Sequence, residues 1–249
     1  MSRTYFDLVK DCLVEMFYEE PQTWADTDTT EGIKVKRLLN QVLDTIVMGE
    51  QTAWKFREKY YYLYLVEGVR SYPMVDGFIQ SMRYHDDPIQ LYYNDRYITL
   101  PMDSTGMPIC YWIYDGNINF FPVPNKDMSG DRIDIRYLTN CCAVDKYNVP
   151  KYRMECEDDE PIIPEKYRDI LIYGVCKDFR RSLNDSASVY YAKKYQEAYK
   201  ALLSEQRLSE DYPNGLDIGP YTPTLQEAIM NVFTNPRVFG GDTSPGGNI

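Results

Sequence analysis

The densest run of metal-type ligands in this 249-residue chain is "ECEDDE", residues 155–160, which raises the question of a Ca²⁺ or Mg²⁺ site. A calcium loop needs oxygen ligands at alternate positions and a glycine at its sharp turn; this run has neither, so a solvated acidic loop is expected. Asp86 and Asp87 are adjacent, a spacing that points carboxylates apart and defines no shared acid–base site. His85 is the only histidine. A histidine-rich metal site is therefore excluded, and a Ser-His-Asp triad would have to be built on His85 without any nucleophile turn of the GxSxG kind. The six cysteines, Cys12, Cys110, Cys141, Cys142, Cys156 and Cys176, form no CxxC pair. Adjacent Cys141 and Cys142 rarely bridge or chelate, so free thiols in a reducing compartment are expected. The terminal "GDTSPGGNI" lacks the lysine and the following helix of a phosphate loop. No enzyme, metal site or cofactor is expected.

Tyrosine is the more informative residue, with 24 copies against 9 Phe and 3 Trp. It supplies a large, stiff surface with a polar tip, suited to partly wet interfaces. Strand alternation puts Tyr60, Tyr62 and Tyr64 on one face. A second group is Tyr92, Tyr93 and Tyr97. The first face reads as a sheet or subunit interface, or alternatively as a carbohydrate-binding platform. Arg180 and Arg181 read as an interface or salt-bridge feature on a helix flank rather than an anion site.

With 38 acids against 27 bases the net charge is −11, the wrong sign for gripping phosphate backbones through clustered Lys and Arg. A surface that DNA passes without sticking suits the same balance. No run of about eighteen apolar residues is present. The N-terminal "MSRTYFDLVKDCLVEMF" carries acids within its apolar stretch, unlike a secretory leader, so the cytosol of whatever cell makes the chain is the expected location.

The elements that would position these residues follow from periodicity. Tyr5, Leu8, Val9, Cys12, Leu13, Met16 and Phe17 give one helical stripe over 4 to about 19, with Thr4 as cap and Asp7 three residues on. Val35, Leu38, Leu39, Val42, Leu43 and Ile46 give a second over 33–48, closed by Gly49 as a C′ residue. From Trp54 to Tyr137 the texture is strand-like, and "YDGN" between "CYWI" and "INFF" signals a hairpin. Helical spacing returns at Pro164, read as an N1 proline, and runs to about 183; after "NDSAS" a further helix continues to about 208. The expected fold is α+β: an antiparallel helical bundle (1–53 and 161–210) interrupted by a small antiparallel β-sheet or sandwich (54–160). An extended, Pro- and Gly-rich C-terminal arm (211–249) follows. Within it Leu225, Ala228, Ile229, Val232 and Phe233 align on one helical face, and with Phe239 they form a candidate docking arm.

The order of these phrases resembles the head-to-tail adaptor proteins of short-tailed phages, the tail-tubular or head-completion group, over roughly residues 5 to 208. The residues that carry the likeness are Leu39-Asn40 on the second helix, Trp54 after it, and Gly106, Pro108 and Tyr111 before an aromatic strand. The "FFPVP" strand end, which holds Phe121 to Pro124, and the helix start Ile163, Pro164 and Tyr167 complete them. A crAss-like or other podovirus source fits. The resemblance implies a virion protein at the head–tail junction that forms a ring, commonly of twelve copies, beneath the portal protein. It implies a downstream tail or nozzle partner, a channel that DNA crosses without specific binding, and an arm reaching the portal; no membrane is involved.

Overall fold

The computed structural model describes residues 3–49, 53–92 and 103–208. Helix α1 (Tyr5–Glu15) opens with the predicted reciprocal cap. The Asp7 N–H donates to Thr4 Oγ1 at 3.3 Å, and the Thr4 N–H donates to Asp7 Oδ2 at 2.9 Å. The helix stops at Glu15, four residues before the expected end near 19. Phe17 adopts φ +66°, and the Phe17 and Tyr18 N–H groups turn back to the Val14 and Leu13 carbonyls at 2.9 and 3.0 Å. This is a Schellman stop with phenylalanine where glycine ordinarily sits. Left-handed backbone costs a bulky residue on the order of 1 kcal/mol. Phe17→Gly is therefore expected to stabilise by about 1 kcal/mol, seen as a Tm rise of about 2–4 °C. A lower Tm would mean that the Phe17 ring's contact with the Arg180 guanidinium, 5.4 Å from its centroid, outweighs the strain.

Helix α2 (Thr30–Met48) is capped by Thr29, whose hydroxyl accepts the Gly32 N–H at 3.1 Å. Gly49 closes it in an extended conformation (φ −69°, ψ 147°), not the left-handed one expected of a C′ glycine. Its missing Cβ matters for space instead: one placed there would lie 2.0 Å from the Thr45 carbonyl oxygen.

After a 3₁₀ turn at Lys55–Arg57 come β1 (Glu58–Tyr64), β2 (Ser71–Pro73), β3 (Gly77–Tyr84), β4 (Asp87–Pro88) and β5 (Gln90–Leu91). Beyond residue 102 follow β6 (Cys110–Tyr114), β7 (Asn117–Phe121) and β8 (Arg132–Thr139). One sheet has the order β1-β8-β3-β4 and another β2-β7-β6-β5. The predicted hairpin joins β6 to β7. Asp115 and Gly116 take φ +49° and +70°, as a two-residue primed turn requires, and Tyr114 pairs with Asn117. Leu63, Met82, Ile133 and Ile135 from the first sheet share one core with Tyr72, Tyr111, Ile118 and Phe120 from the second. The β region is thus a small sandwich.

Three two-residue strands, β9 (Ala143–Val144), β10 (Pro150–Lys151) and β11 (Glu160–Pro161), form an antiparallel sheet in the order β10-β9-β11. A 3₁₀ turn (Glu165–Tyr167) then precedes α3 (Asp169–Ser182) and α4 (Ala187–Gln206). Pro164 caps that turn with ψ 140° and lies outside α3, so it is not the N1 proline that its spacing suggests. Arg168 holds the joint. It is 5% exposed, and its guanidinium donates to the Ile163 and Pro161 carbonyls at 3.1 and 3.0 Å and to the Arg3 carbonyl. Glu160 and Glu165 lie 3.2 and 2.9 Å from it.

The fold is α+β, as expected, and divides into two compact units. One comprises described residues 3–49, 53–59, 76–78 and 138–208, the other 60–75, 79–92 and 103–137. Residues 138–160, assigned above to the β insertion, group with the helices. The reason is burial: Cys142, Ala143 and Met154 enter the helical core beside Val35, Leu39 and Leu43. Asn40 secures them, donating to the Met154 carbonyl and accepting its N–H at 3.0 and 2.9 Å. Within the helical unit α2 runs antiparallel to α3. Lys34 near its start reaches Ser182, and Val42 meets Gly174, where a Cβ would come within 2.6 Å of Val42 Cγ1.

Candidate functional site

The acid run does not form the uniformly solvated loop expected of it. Asp159 is 1% exposed and accepts the Glu155 and Cys156 N–H groups at 2.6 and 2.7 Å, while the Lys151 ammonium spans both its oxygens at 2.8 and 3.1 Å. The loop then seats α1, whose Tyr5 and Phe6 N–H groups donate to the Asp159 and Glu157 carbonyls at 2.7 and 3.1 Å. A carboxylate so filled with donors is a structural post rather than a cation ligand. Among the described residues no three metal-type ligands are gathered.

The same post predicts a pH response. Burial pushes the Asp159 carboxyl up, but the Lys151 ammonium and the two N–H groups outweigh it and hold the carboxyl below its usual range. A folded value below the unfolded one, about 3.9, gives stabilisation that is complete above that pH and lost as pH falls through the folded value. Asp159→Asn is expected to cost about 2 kcal/mol at neutral pH and to flatten the acid limb of stability. An unchanged slope in acid titration of the melt would refute this.

Tyr60, Tyr62 and Tyr64 stand on one face of β1, 61%, 49% and 61% exposed, with Leu63 turned into the sandwich core. Arg132, held by Asp134 at 2.6 Å, places its guanidinium 4.6 Å from the Tyr62 ring centroid. This surface is aromatic and polar. Tyr92 departs from the second expected group: it is buried against Cys110 and Phe121, and Tyr93 and Tyr97 lie outside the described residues.

The arginine pair diverges. Arg181 is exposed, whereas Arg180 works inside its own chain. It donates to Asp185 at 2.7 Å and to the Glu15 carbonyl at 3.3 Å, and lies against the Phe17 and Tyr191 rings. Asp185 also accepts the Ala187 N–H at 2.9 Å, starting α4. One guanidinium thus ties the end of α1 to the α3–α4 turn. Leu225, Ile229, Val232, Phe233 and Phe239 lie outside the described residues.

A feature the sequence did not announce is an open groove of about 350 Å³ between α1 and α3. It is lined by Val14, Ile172 and Tyr173 together with Asp11, Glu15, Glu20 and Asp169. Lys10 answers Glu20 at 2.6 Å, and Arg3 answers Asp169 at 2.6 Å and Asp11 at 3.7 Å. Burial still pushes the Asp11 carboxyl up, ahead of the opposing effect of Arg3. These carboxylates are engaged by cations or scattered along the groove, with no nucleophile aimed between them. The arrangement suits docking of a protein surface, not acid–base chemistry.

All six cysteines are free thiols, with Cys156 alone exposed. Burial pushes the Cys110 and Cys176 thiols up to about 12, where they are unreactive. Among the described residues no helix is long and apolar enough to cross a membrane. Compared with known families, the sequence matches the SU10 adaptor protein family over residues 4–218. No curated protein matches it.

Proposed function

Because the chain belongs to the SU10 adaptor protein family, whose members are structural phage adaptors and not enzymes, we propose that it forms a ring beneath the portal of a short-tailed phage and joins the capsid to the tail. The observation that carries this reading is the family match across both structural units, residues 4–218. The exposed tyrosine face of β1 agrees with it, since a ring subunit needs broad side faces.

In this reading the virion is its final location, and its partners are the portal protein, further copies of itself and a downstream tail or nozzle protein. DNA crosses the central channel without specific binding, for which an acidic balance is suited. The helical unit and the β sandwich form the ring body. Residues 211–249 serve as the arm, with Leu225, Ile229, Val232, Phe233 and Phe239 seated on the portal. Tyr60, Tyr62 and Tyr64 take part in subunit or tail contacts.

Electron microscopy of the purified protein mixed with its portal tests the proposal; rings on portals are expected. Deleting the residues after Gly219 should abolish portal attachment while leaving the circular dichroism spectrum intact, and normal attachment of the truncated chain would remove the arm from the mechanism. Saturable binding on a glycan array would instead assign the tyrosine face to carbohydrate.

A further inference from the structure

We propose that adjacent copies of this chain meet head to tail through the helical unit, the α1–α3 groove of one copy receiving the outer face of α2 from the next. The inference rests on the ring reading above and adds which surfaces join. On the groove side, Asp11 and Glu15 stand one helical turn apart in the lining, with Val14 between them 46% exposed. At its end Phe17 is 88% exposed on left-handed backbone. Glycine would hold that turn without strain, and the return within the folded chain for a phenylalanine there is its contact with the Arg180 guanidinium, 5.4 Å from the ring centroid. A bulky ring at that position is accounted for if another surface covers it.

The complementary surface lies on α2. Ile33 is 56% exposed and Arg37 follows it one turn later, also exposed, with no ion pair among the described residues. Both pairs have the same i, i+4 spacing, about 6 Å. Ile33 of one copy therefore seats against Val14 and Phe17 while Arg37 reaches Asp11 and Glu15. Arg3 leaves Asp11 under-compensated within its own chain, and a second guanidinium supplies what is missing.

The two surfaces also lie on different elements. Helix α2 touches α1 through Tyr5, whose hydroxyl donates to the Lys36 carbonyl at 2.8 Å, and touches α3 through Val42 and Gly174. It contributes nothing to the groove. The exposed row of α2 and the groove are thus two separate, non-identical surfaces of one chain, which is what a closed head-to-tail ring requires.

The test uses the full chain mixed with its portal, with rings counted by negative-stain electron microscopy. Arg37→Glu and Glu15→Arg are each expected to lower ring occupancy more than about tenfold. The double variant should restore it in part, because the pair at positions 15 and 37 is then reversed while Asp11 keeps its charge. Glu15 also accepts the Tyr191 hydroxyl at 3.0 Å, so each variant is melted as well, and Asp11→Arg replaces Glu15→Arg if the latter unfolds early. Phe17→Gly separates contact from fold: it should melt higher yet form fewer rings, a combination that a purely structural Phe17 does not produce. Normal rings from Arg37→Glu, or no restoration by the double variant, overturn these surfaces and leave the ring reading standing. Wild-type protein that never forms rings on portals overturns both.

Discussion

Trp54→Ala should destabilise the helical unit by about 4 kcal/mol, near the upper end for a single core truncation. The indole is fully buried, and its Nε1–H donates to the Ile46 carbonyl at 2.8 Å in the last turns of α2. Phe56 stacks on it with ring centroids 5.5 Å apart, and Tyr199 of α4 meets it edge-on at 6.0 Å. Removing it opens a cavity where α2, the 3₁₀ turn at Lys55–Arg57 and α4 converge, and leaves a buried carbonyl without its donor. Trp54→Phe keeps most of the volume but not the donor, and should cost about 2 kcal/mol. Urea unfolding followed by far-UV circular dichroism measures both. Equal costs would mean that the lost Nε1–H donor, common to both variants, accounts for the whole effect and that packing adds nothing.

The second large effect concerns Arg168. Arg168→Ala should cost about 3 kcal/mol, because it strands the Ile163, Pro161 and Arg3 carbonyls and removes the guanidinium that both Glu160 and Glu165 approach. Lysine should recover little. Its ammonium is a point donor, whereas three carbonyls in different directions need the planar fork. If Arg168→Lys proves as stable as the native chain, charge rather than geometry holds the joint. Arg3 follows in the same cluster: it pairs with Glu165 at 3.1 Å and Asp169 at 2.6 Å, bringing the chain start to the head of α3.

Much of this architecture can be read from the sequence where a local rule governs. Helices α1 and α2 declare themselves because Leu8, Cys12, Leu39 and Leu43 recur at the spacing of one buried face. The β6–β7 turn declares itself because Asp115-Gly116 accepts positive φ at both positions. The end of α1 is hidden since its stop signal is written with Phe17 instead of glycine. The placement of residues 138–160 is hidden for another reason: two-residue strands carry no periodicity, and what assigns them to the helices is Asn40, more than a hundred positions from its partner Met154. The acid run is legible as charge but not as structure, because only the fold reveals that Asp159 turns inward to Lys151. The groove is invisible in principle to a local reading, since Asp11 and Val14 meet Asp169 and Tyr173 only after α1 and α3 pack.

The end of α4 has a mechanical consequence. The Leu208 N–H donates to the Ala53 carbonyl at 2.8 Å, Arg207 bridges antiparallel to Trp54, and the Lys55 ammonium donates to the Glu205 carbonyl at 3.0 Å. Of α4, Tyr191 and Leu202 are buried, and Tyr195, Ala198, Tyr199 and Leu203 pack partly buried against the same core. Tension applied at residue 208 is delivered first at the strap beside Trp54, and from there through the Ile46 carbonyl into α2. The load enters the body of the helical unit at a fully buried ring.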